Sequence, residues 1–236
     1  DTMGYCKIPR SIHVLGNNSI LMRNAVVDAT EVEYFMEDSV VCRKLIIGDR
    51  VKCVACGAFC SVKSLKTTEL KLYKFVEAFF PPDGIAYSNQ ELKYVEVTRQ
   101  DDSTLNLVFP ISKDAKYQQS VFSSWDENGI HIERYVDSLV LIKNAKVKYK
   151  AIIYCLEHNN GKLVEELLLR IGRIVKGLIW YAIKQESFDI AVLLCKSGVV
   201  KPTLAKELLK GKLPNVLVPV VVGVLEDKKQ AVRLSL

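Results

Sequence analysis

Residues 177–200, Gly-Leu-Ile-Trp-Tyr-Ala-Ile-Lys-Gln-Glu-Ser-Phe-Asp-Ile-Ala-Val-Leu-Leu-Cys-Lys-Ser-Gly-Val-Val, decide how the chain is read. Two short apolar helices fit this stretch, split by the polar break Lys184-Gln185-Glu186-Ser187 and closed by Gly198. A helix–turn–helix unit of this kind leaves one flank in solvent and has to bury the other against a similar neighbour. That arrangement points to a binding surface rather than to chemistry.

Neighbours of the same kind lie on both sides. Upstream, Ala151–Leu156, the break His158-Asn159-Asn160-Gly161, and Leu163–Leu169 ending at Gly172 make one helix pair. Ile174–Lys184 and Phe188–Lys196 ending at Gly198 make the next, and the two terminal glycines stand 26 residues apart. Each glycine sits where a helix needs a left-handed residue to finish. Downstream, Pro202 opens a third unit over Thr203–Leu209, Gly211 and Pro214 break it, and the apolar run Val216–Leu225 follows. The spacing turns helical near Tyr149, so the expected domains are 1–148, β-rich, and 149–236, helical.

The residues of this C-terminal third resemble ankyrin repeats. In that family a first helix carries a Leu-His-x-Ala core, a Gly-containing turn follows, and a second helix shows an apolar-x-x-Leu-Leu pattern before a final Gly. Ile179-Trp180-Tyr181-Ala182 takes the place of the first, and Ile190-Ala191-Val192-Leu193-Leu194 with Gly198 matches the second. In the preceding unit Val164-Glu165-Glu166-Leu167-Leu168 with Gly172 matches too, while Leu156 replaces the expected Ala. The units fall short of the usual repeat of about 33 residues. The Thr-Pro opening is absent, and the turn Gly is replaced by Glu186 or displaced to Gly161. The resemblance implies a concave face and loops that recognise another protein, without catalysis.

The first half reads as β. Ser11–Leu15, Ile20–Val27 and Glu31–Phe35 are short apolar pieces separated by Gly16-Asn17-Asn18 and Asp28-Ala29-Thr30. Val40–Ile47, Gly48-Asp49-Arg50 and Val51–Val62 read as a hairpin. Glu91–Thr98 and Thr104–Ile111 alternate cleanly about Gln100-Asp101-Asp102-Ser103 and read as another. Leu72, Phe75, Val76, Phe79 and Phe80 have helical spacing in a β-rich neighbourhood, and Pro81-Pro82-Asp83-Gly84 ends the segment. Ser112–Gly129 reads as a loop, and Ile130–Val136 and Leu139–Val147 as strands. A recurrence of about six residues between small or apolar positions from Ala25 to Ser61 also fits a short β-solenoid. The irregular turns favour a sandwich or barrel-like sheet instead.

Composition narrows the function classes. An apolar content of 49% with 25% charged residues describes a soluble globular chain. No apolar run is long enough to span a bilayer, no charged-then-apolar leader opens the sequence, and Asp1 at the start reads as an excised domain or a processed product. Seven cysteines cannot all pair, so thiols in a reducing, cytoplasmic or nuclear compartment are expected. Residues 146–236 hold 16 Lys and Arg against 8 Asp and Glu, whereas residues 1–145 hold 17 against 19. The basic second half suits an acidic partner, either nucleic acid or an acidic protein.

Cys53-Val54-Ala55-Cys56-Gly57-Ala58-Phe59-Cys60 is the one cluster with a chemical flavour. A Cys-x-x-Cys-Gly knuckle lets two thiolates meet one tetrahedral zinc, and a hairpin about Gly48 would bring Cys42 alongside, giving the set Cys42, Cys53, Cys56 and Cys60. Core or ordinary thiols are the weightier reading, because no second ligand pair of similar spacing is present. Cys155 and His158 share a helix face, but no third group orients them. His13 and His131 fall in strand patterns. With no phosphate loop, nucleophile elbow or His-Glu-x-x-His, no enzyme and no cofactor are expected.

These readings converge on an α+β chain, a β-rich sandwich or barrel-like domain followed by a short stack of α-helical hairpins. The expected function is a non-enzymatic protein–protein interaction module, with Trp180, Tyr181, Gln185, Glu186 and Ser187 as partner-binding positions. By analogy with small diverged repeat stacks joined to irregular β domains, it would serve as a viral or bacterial host-interaction factor. The alternative is a nucleic-acid-binding or assembly protein using Lys143, Lys146, Lys148, Lys150, Lys210 and Lys212.

Overall fold

One backbone turn recurs three times in the first half of the computed structural model, which describes residues 4–69, 75, 77–80, 92–111 and 114–233. Asn18, Asp38 and Gly57 occupy the left-handed region at φ 54°, 48° and 74°. Asn and Asp tolerate this conformation through local side-chain hydrogen bonding, and Gly through the lack of a Cβ. In each turn an amide closes back three residues: Ser19 N–H to Gly16 O, Ser39 N–H to Met36 O, and Ala58 N–H to Ala55 O.

Every such turn carries the chain from a short strand in one sheet to a long strand in another. β1 (Gly4–Lys7), β2 (Val14–Leu15), β3 (Ile20–Ala29), β4 (Tyr34–Phe35), β5 (Val40–Ile47), β6 (Cys53–Val54), β7 (Val62–Thr68), β8 (Leu92–Thr98) and β9 (Thr104–Pro110) follow in order. β2, β4 and β6 form a three-stranded parallel sheet. The larger sheet runs β1-β3-β5-β7-β8-β9, parallel until β9, which returns antiparallel to β8. The chain therefore winds as stacked coils about 20 residues long, with Ile20 opposite Val40 and Cys42 opposite Val62.

Register places one fully buried row across the stack: Val27, Leu45, Leu65, Val95 and Leu107. Burial of each such side chain contributes about 1.5–3 kcal/mol. Phe35, Phe59, Phe75, Phe79 and Phe109 extend this core, with ring centroids 5.2–6.3 Å apart. Lys93, also buried, donates from Nζ to Cys60 O at 2.6 Å. Where coils meet most tightly, only glycine fits: a Cβ on Gly48 would lie 2.5 Å from Thr30 O of the preceding coil.

Solvent-facing positions are tied by charge. Glu96 receives Lys44 Nζ at 2.8 Å and Lys66 Nζ at 2.6 Å. On the smaller sheet, Glu31 lies between Arg10 (3.6 Å) and Arg50 (2.7 Å), and Glu33 between His13 (3.6 Å) and Lys52 (2.6 Å). Glu31 and Glu33 are thus each shared by the coils on either side of their own, whereas Lys44 and Lys66 reach Glu96 from β5 and β7, on one side of β8.

After β9 come α1 (Ala115–Phe122), a two-residue hairpin of β10 (Trp125–Asp126) and β11 (Gly129–Ile130), and α2 (Ile132–Leu141). Tyr135 pins α2 to β9, its hydroxyl donating to Val108 O at 3.0 Å and accepting from Val108 N–H at 2.9 Å. Residues 1–142 form one unit and 143–236 a second. The second unit is helical: α3 (Ala145–His158), α4 (Lys162–Arg170), α5 (Val175–Lys184), α6 (Phe188–Lys196), α7 (Pro202–Lys210) and α8 (Val218–Arg233). α3 packs on α4, α5 and α6, while α8 packs on α6 and α7. Residue 149, where the sequence turns helical, lies inside α3.

Several expectations change. The sandwich or barrel-like sheet is replaced by stacked, solenoid-like coils. Val40–Val62 is no hairpin, because Gly48-Asp49-Arg50 carries the chain from the large sheet to the small one, and β5 pairs in parallel with β3 and β7. The expected strands over Ile130–Val136 and Leu139–Val147 are mostly helical: α2 buries Ile132, Tyr135, Val136 and Leu139 at i, i+3, i+4 and i+7. The expected loop Ser112–Gly129 contains α1, capped by Asp114 Oδ1 accepting from Lys116 N–H at 3.1 Å. Phe79 closes the 3-10 turn Glu77–Phe79, whereas Leu72, Val76 and Pro81–Gly84 lie outside the described residues. The hairpin about Gln100–Ser103 stands as read.

Gly48→Ala should cost about 1–3 kcal/mol through overpacking against Thr30. Gly16→Ala, whose Cβ would meet nothing closer than 3.6 Å, should change stability by no more than about 0.5 kcal/mol. Chemical denaturation of both variants checks this. Burial pushes the Glu96 carboxyl up, but hydrogen bonds from Lys44 and Lys66 outweigh it and hold the group below its ordinary value. A depressed folded value means that the contribution is complete above the unfolded value and disappears as pH falls through the folded one. The stability gap between wild type and Glu96→Gln, about 0.2–1 kcal/mol per exposed ion pair at neutral pH, should therefore close on acidification below the ordinary carboxylate range.

Candidate functional site

In α5, Leu178, Ile179 and Ala182 turn into the helical core, which leaves Trp180 and Tyr181 half-buried on its flank. A Cβ on Gly211, just past α7, would lie 2.7 Å from the Trp180 ring, so the indole rests on that glycine. The Tyr181 ring lies 5.8 Å from that of Tyr149. The Tyr149 hydroxyl in turn covers Gly177, where a Cβ would lie 2.2 Å from it. Both aromatics thus pack within the helical unit, Trp180 against Gly211 and Tyr181 against Tyr149, whose own hydroxyl is admitted by Gly177.

The polar break presents a different face. α5 ends with Gln185 N–H donating to Tyr181 O at 3.0 Å, and Glu186 turns left-handed at φ 60°, where the ankyrin pattern carries glycine. Gln185 and Glu186 are exposed. Ser187 Oγ donates to Glu157 Oε1 at 2.8 Å, fastening this turn to α3. Of the five expected partner positions, Gln185 and Glu186 are the ones the fold offers to solvent most freely.

A second surface, which the sequence reading missed, lies at the other end of α6, roughly 13 Å away for nine residues at 1.5 Å each. Gly198 turns left-handed after α6 at φ 78°. Gly172 does not, because α4 runs on into the 3-10 turn Ile171–Arg173. Between the tails of α4 and α6 is a hollow of about 490 Å³ lined by Glu165, Leu168, Leu169, Gly172, Ser197, Gly198, Val199 and Lys201. A second hollow of about 450 Å³, sharing Gly198 and Lys201, opens towards α8 at Pro219, Val220, Gly223 and Val224. Leu169 stands at this rim 76% exposed, although Leu167 two residues earlier is fully buried. The signal available in the sequence was Leu167-Leu168-Leu169, three successive leucines on a helix with one inward face.

The basic residues gather only partly. In α3, Lys146 and Lys150 are exposed one turn apart, with Lys143 exposed just ahead of the helix. Lys148 turns the other way and is half-buried, which lowers its pKa by desolvation. Lys210 and Lys212 are exposed about the end of α7. Nearby Glu207 receives Lys176 Nζ at 2.7 Å, a hydrogen bond that holds its carboxyl below the ordinary value.

The four-thiolate set is not assembled. Cys42 lies buried on β5, Cys53 exposed on β6 in the other sheet, Cys56 exposed in the turn, and Cys60 buried beyond it. Gly57 serves the coil turn rather than a metal knuckle. The Cys56 sulfur faces Glu77 O and Phe80 O, and that of Cys60 faces Ala78 O and Phe79 O. Burial pushes the Cys42 thiol up to about 12 and Cys195 to about 11, values that suit packed thiols. Among the described residues no group of three or more His, Cys, Asp or Glu could hold a metal ion. His158 contacts Tyr154 O through Nδ1 at 2.9 Å, His131 pairs with Asp126 at 3.0 Å, and His13 lies near Glu33. Among the described residues no helix is long and apolar enough to cross a membrane.

No family model, no curated protein and no solved structure matches the chain.

The two leucines of α4 separate packing from surface. Leu167→Ala should cost about 2–5 kcal/mol, while Leu169→Ala should stay within about 0.5 kcal/mol, as thermal and chemical melts of the two variants will register.

Proposed function

We propose that the protein is a non-enzymatic interaction module that captures a protein partner through its helical unit. The observation that carries the reading is the exposed Leu169 beside the paired hollows about Gly198. An apolar centre with a polar rim, here Glu165, Ser197 and Lys201, is the anatomy of a protein interface. The ankyrin-like pattern of the helix pairs supports the same reading, with Gln185 and Glu186 as loop contacts at the far end of α6. A role as a viral or bacterial host-interaction factor belongs to this proposal.

Affinity capture from cell extract with the full chain as bait tests it. Wild type should retain a partner that resists nuclease, and Leu169→Asp should lose it while its melting temperature stays unchanged. Retention that neither Leu169→Asp nor Gln185→Ala/Glu186→Ala reduces would overturn the assignment.

One observation favours a second reading: Lys146 and Lys150 share an exposed face of α3 with Lys143 just before it. On that reading the unit tracks phosphates. RNA or duplex DNA should then bind at low salt and lose affinity steeply between about 50 and 200 mM, and the Lys146→Ala/Lys150→Ala variant should show a shallower slope.

A further inference from the structure

Three basic side chains stand in line across the coils of the first unit. Cys42 pairs with Val62 and Lys44 with Ser64, so Arg43 and Lys63 lie side by side in neighbouring strands. Arg23 follows Met22, the partner of Cys42, and joins the same row where β3 shifts register between Met22 and Val26. All three are exposed. They project from the face of the large sheet, where a side chain points the same way whichever strand is outermost.

Like charges on directly opposed residues weaken the pairing of their strands, and elsewhere these coils avoid the conflict. Arg10 and Arg50 gather about Glu31, His13 and Lys52 about Glu33, and Lys44 and Lys66 about Glu96. Arg23, Arg43 and Lys63 have no such acid among the described residues. The fold leaves their mutual repulsion unrelieved, and an anionic ligand laid along the row would turn that cost into attraction.

Geometry selects the ligand. Neighbouring strands lie about 4.8 Å apart, so the row spans roughly 10 Å, which equals the advance of about three phosphates along one strand of a duplex at about 3.4 Å each. Parallel register holds the row rigid, and a rigid array is best matched by a polyanion whose charges are themselves held at a fixed repeat. Two of the three are arginines, whose planar fork meets phosphate oxygens in pairs. Single strands are ordinarily held by stacking on open aromatic rings. The aromatic nearest in register, Tyr94 opposite Ser64, is half-buried.

We propose that the face bearing Arg23, Arg43 and Lys63 binds the phosphate backbone of duplex nucleic acid, one phosphate to each side chain and without regard to base sequence. This surface belongs to the coils and rests on neither reading of the helical unit. Residues 1–145 hold 17 Lys and Arg against 19 Asp and Glu, so no diffuse positive charge on this part of the chain adds to the row.

Titration of the full chain with a short labelled DNA duplex over a range of salt concentrations tests it, with an RNA duplex, the separated DNA strands and polyglutamate as further arms. Both duplexes should bind at low salt. Arg43→Gln should make the slope of log affinity against log salt shallower by about 0.9, one phosphate contact, and Arg23→Gln/Arg43→Gln/Lys63→Gln by about 2.7. Arg43→Lys should keep the wild-type slope. Melting temperatures of the Gln variants should not fall, because exposed like charges are being removed. The same decrements should appear in a Lys146→Ala/Lys150→Ala background, which separates this row from the basic face of α3. A salt slope that the triple variant leaves unaltered, or no duplex binding at low salt, overturns the proposal. Tighter binding of the separated strands overturns it in favour of a single-stranded ligand. Displacement of the duplex by polyglutamate as readily as by unlabelled duplex of equal charge overturns it in favour of an acidic protein.

Discussion

Everything in the first unit follows from the parallel hydrogen bonding of one coil onto the next. A backbone N–H or C=O inside a sheet needs a partner, and here the partner belongs to the adjacent coil: Glu33 and Tyr34 amides on His13 O, Lys52 and Cys53 amides on Glu33 O, Ala55 on Phe35 O. Meeting that demand in every layer fixes where each turn falls. It therefore places Asn18, Asp38 and Gly57 at one left-handed site, leaves Gly48 against the Thr30 backbone, and lines up Val27, Leu45, Leu65, Val95 and Leu107 in a single buried row.

The same demand explains what the sequence concealed. The repeated element is a conformation, and three different residue types satisfy it, so Asn18, Asp38 and Gly57 give no matching letters. Gly48-Asp49-Arg50 is a turn signal in any fold, and it cannot distinguish a return along the same sheet from a step into another. The hairpin about Gln100–Ser103 was legible because both its strands alternate and their partners are local. α2 was misread on its Val and Tyr content, although Ile132, Tyr135, Val136 and Leu139 carry the helical period. The cysteine cluster looked like metal chemistry because Gly57, which the coil turn needs at its left-handed position, happens to follow the exposed Cys53 and Cys56 with the spacing of a knuckle.

The helices were the legible part, since α4, α5 and α6 fall where apolar spacing and chain breaks put them. Their surface was not. Trp180 and Tyr181 stand out in sequence by size, yet Trp180 packs on Gly211 and Tyr181 on the ring of Tyr149. Leu169 is one leucine among three, and only the direction of α4 reveals that it faces water. Aromatic residues announce themselves in a sequence, whereas an exposed aliphatic becomes visible only once its helix has been oriented.

Winding in short coils also bears on how the chain reaches this structure. Parallel sheets ordinarily join segments far apart and form slowly, because loop closure precedes the gain from pairing. Most of these strands instead meet neighbours about twenty residues away, Ile20 with Val40 and Cys42 with Val62. Closure entropy grows only with the logarithm of length, so each completed layer becomes a nearby scaffold for its successor. The departure is β7 on β8, where Ser64 pairs with Tyr94 across thirty residues. That junction spans the longest stretch of sequence of any pairing in the sheet, yet by the same logarithm it costs only about a few tenths of a kcal/mol more to close than the others.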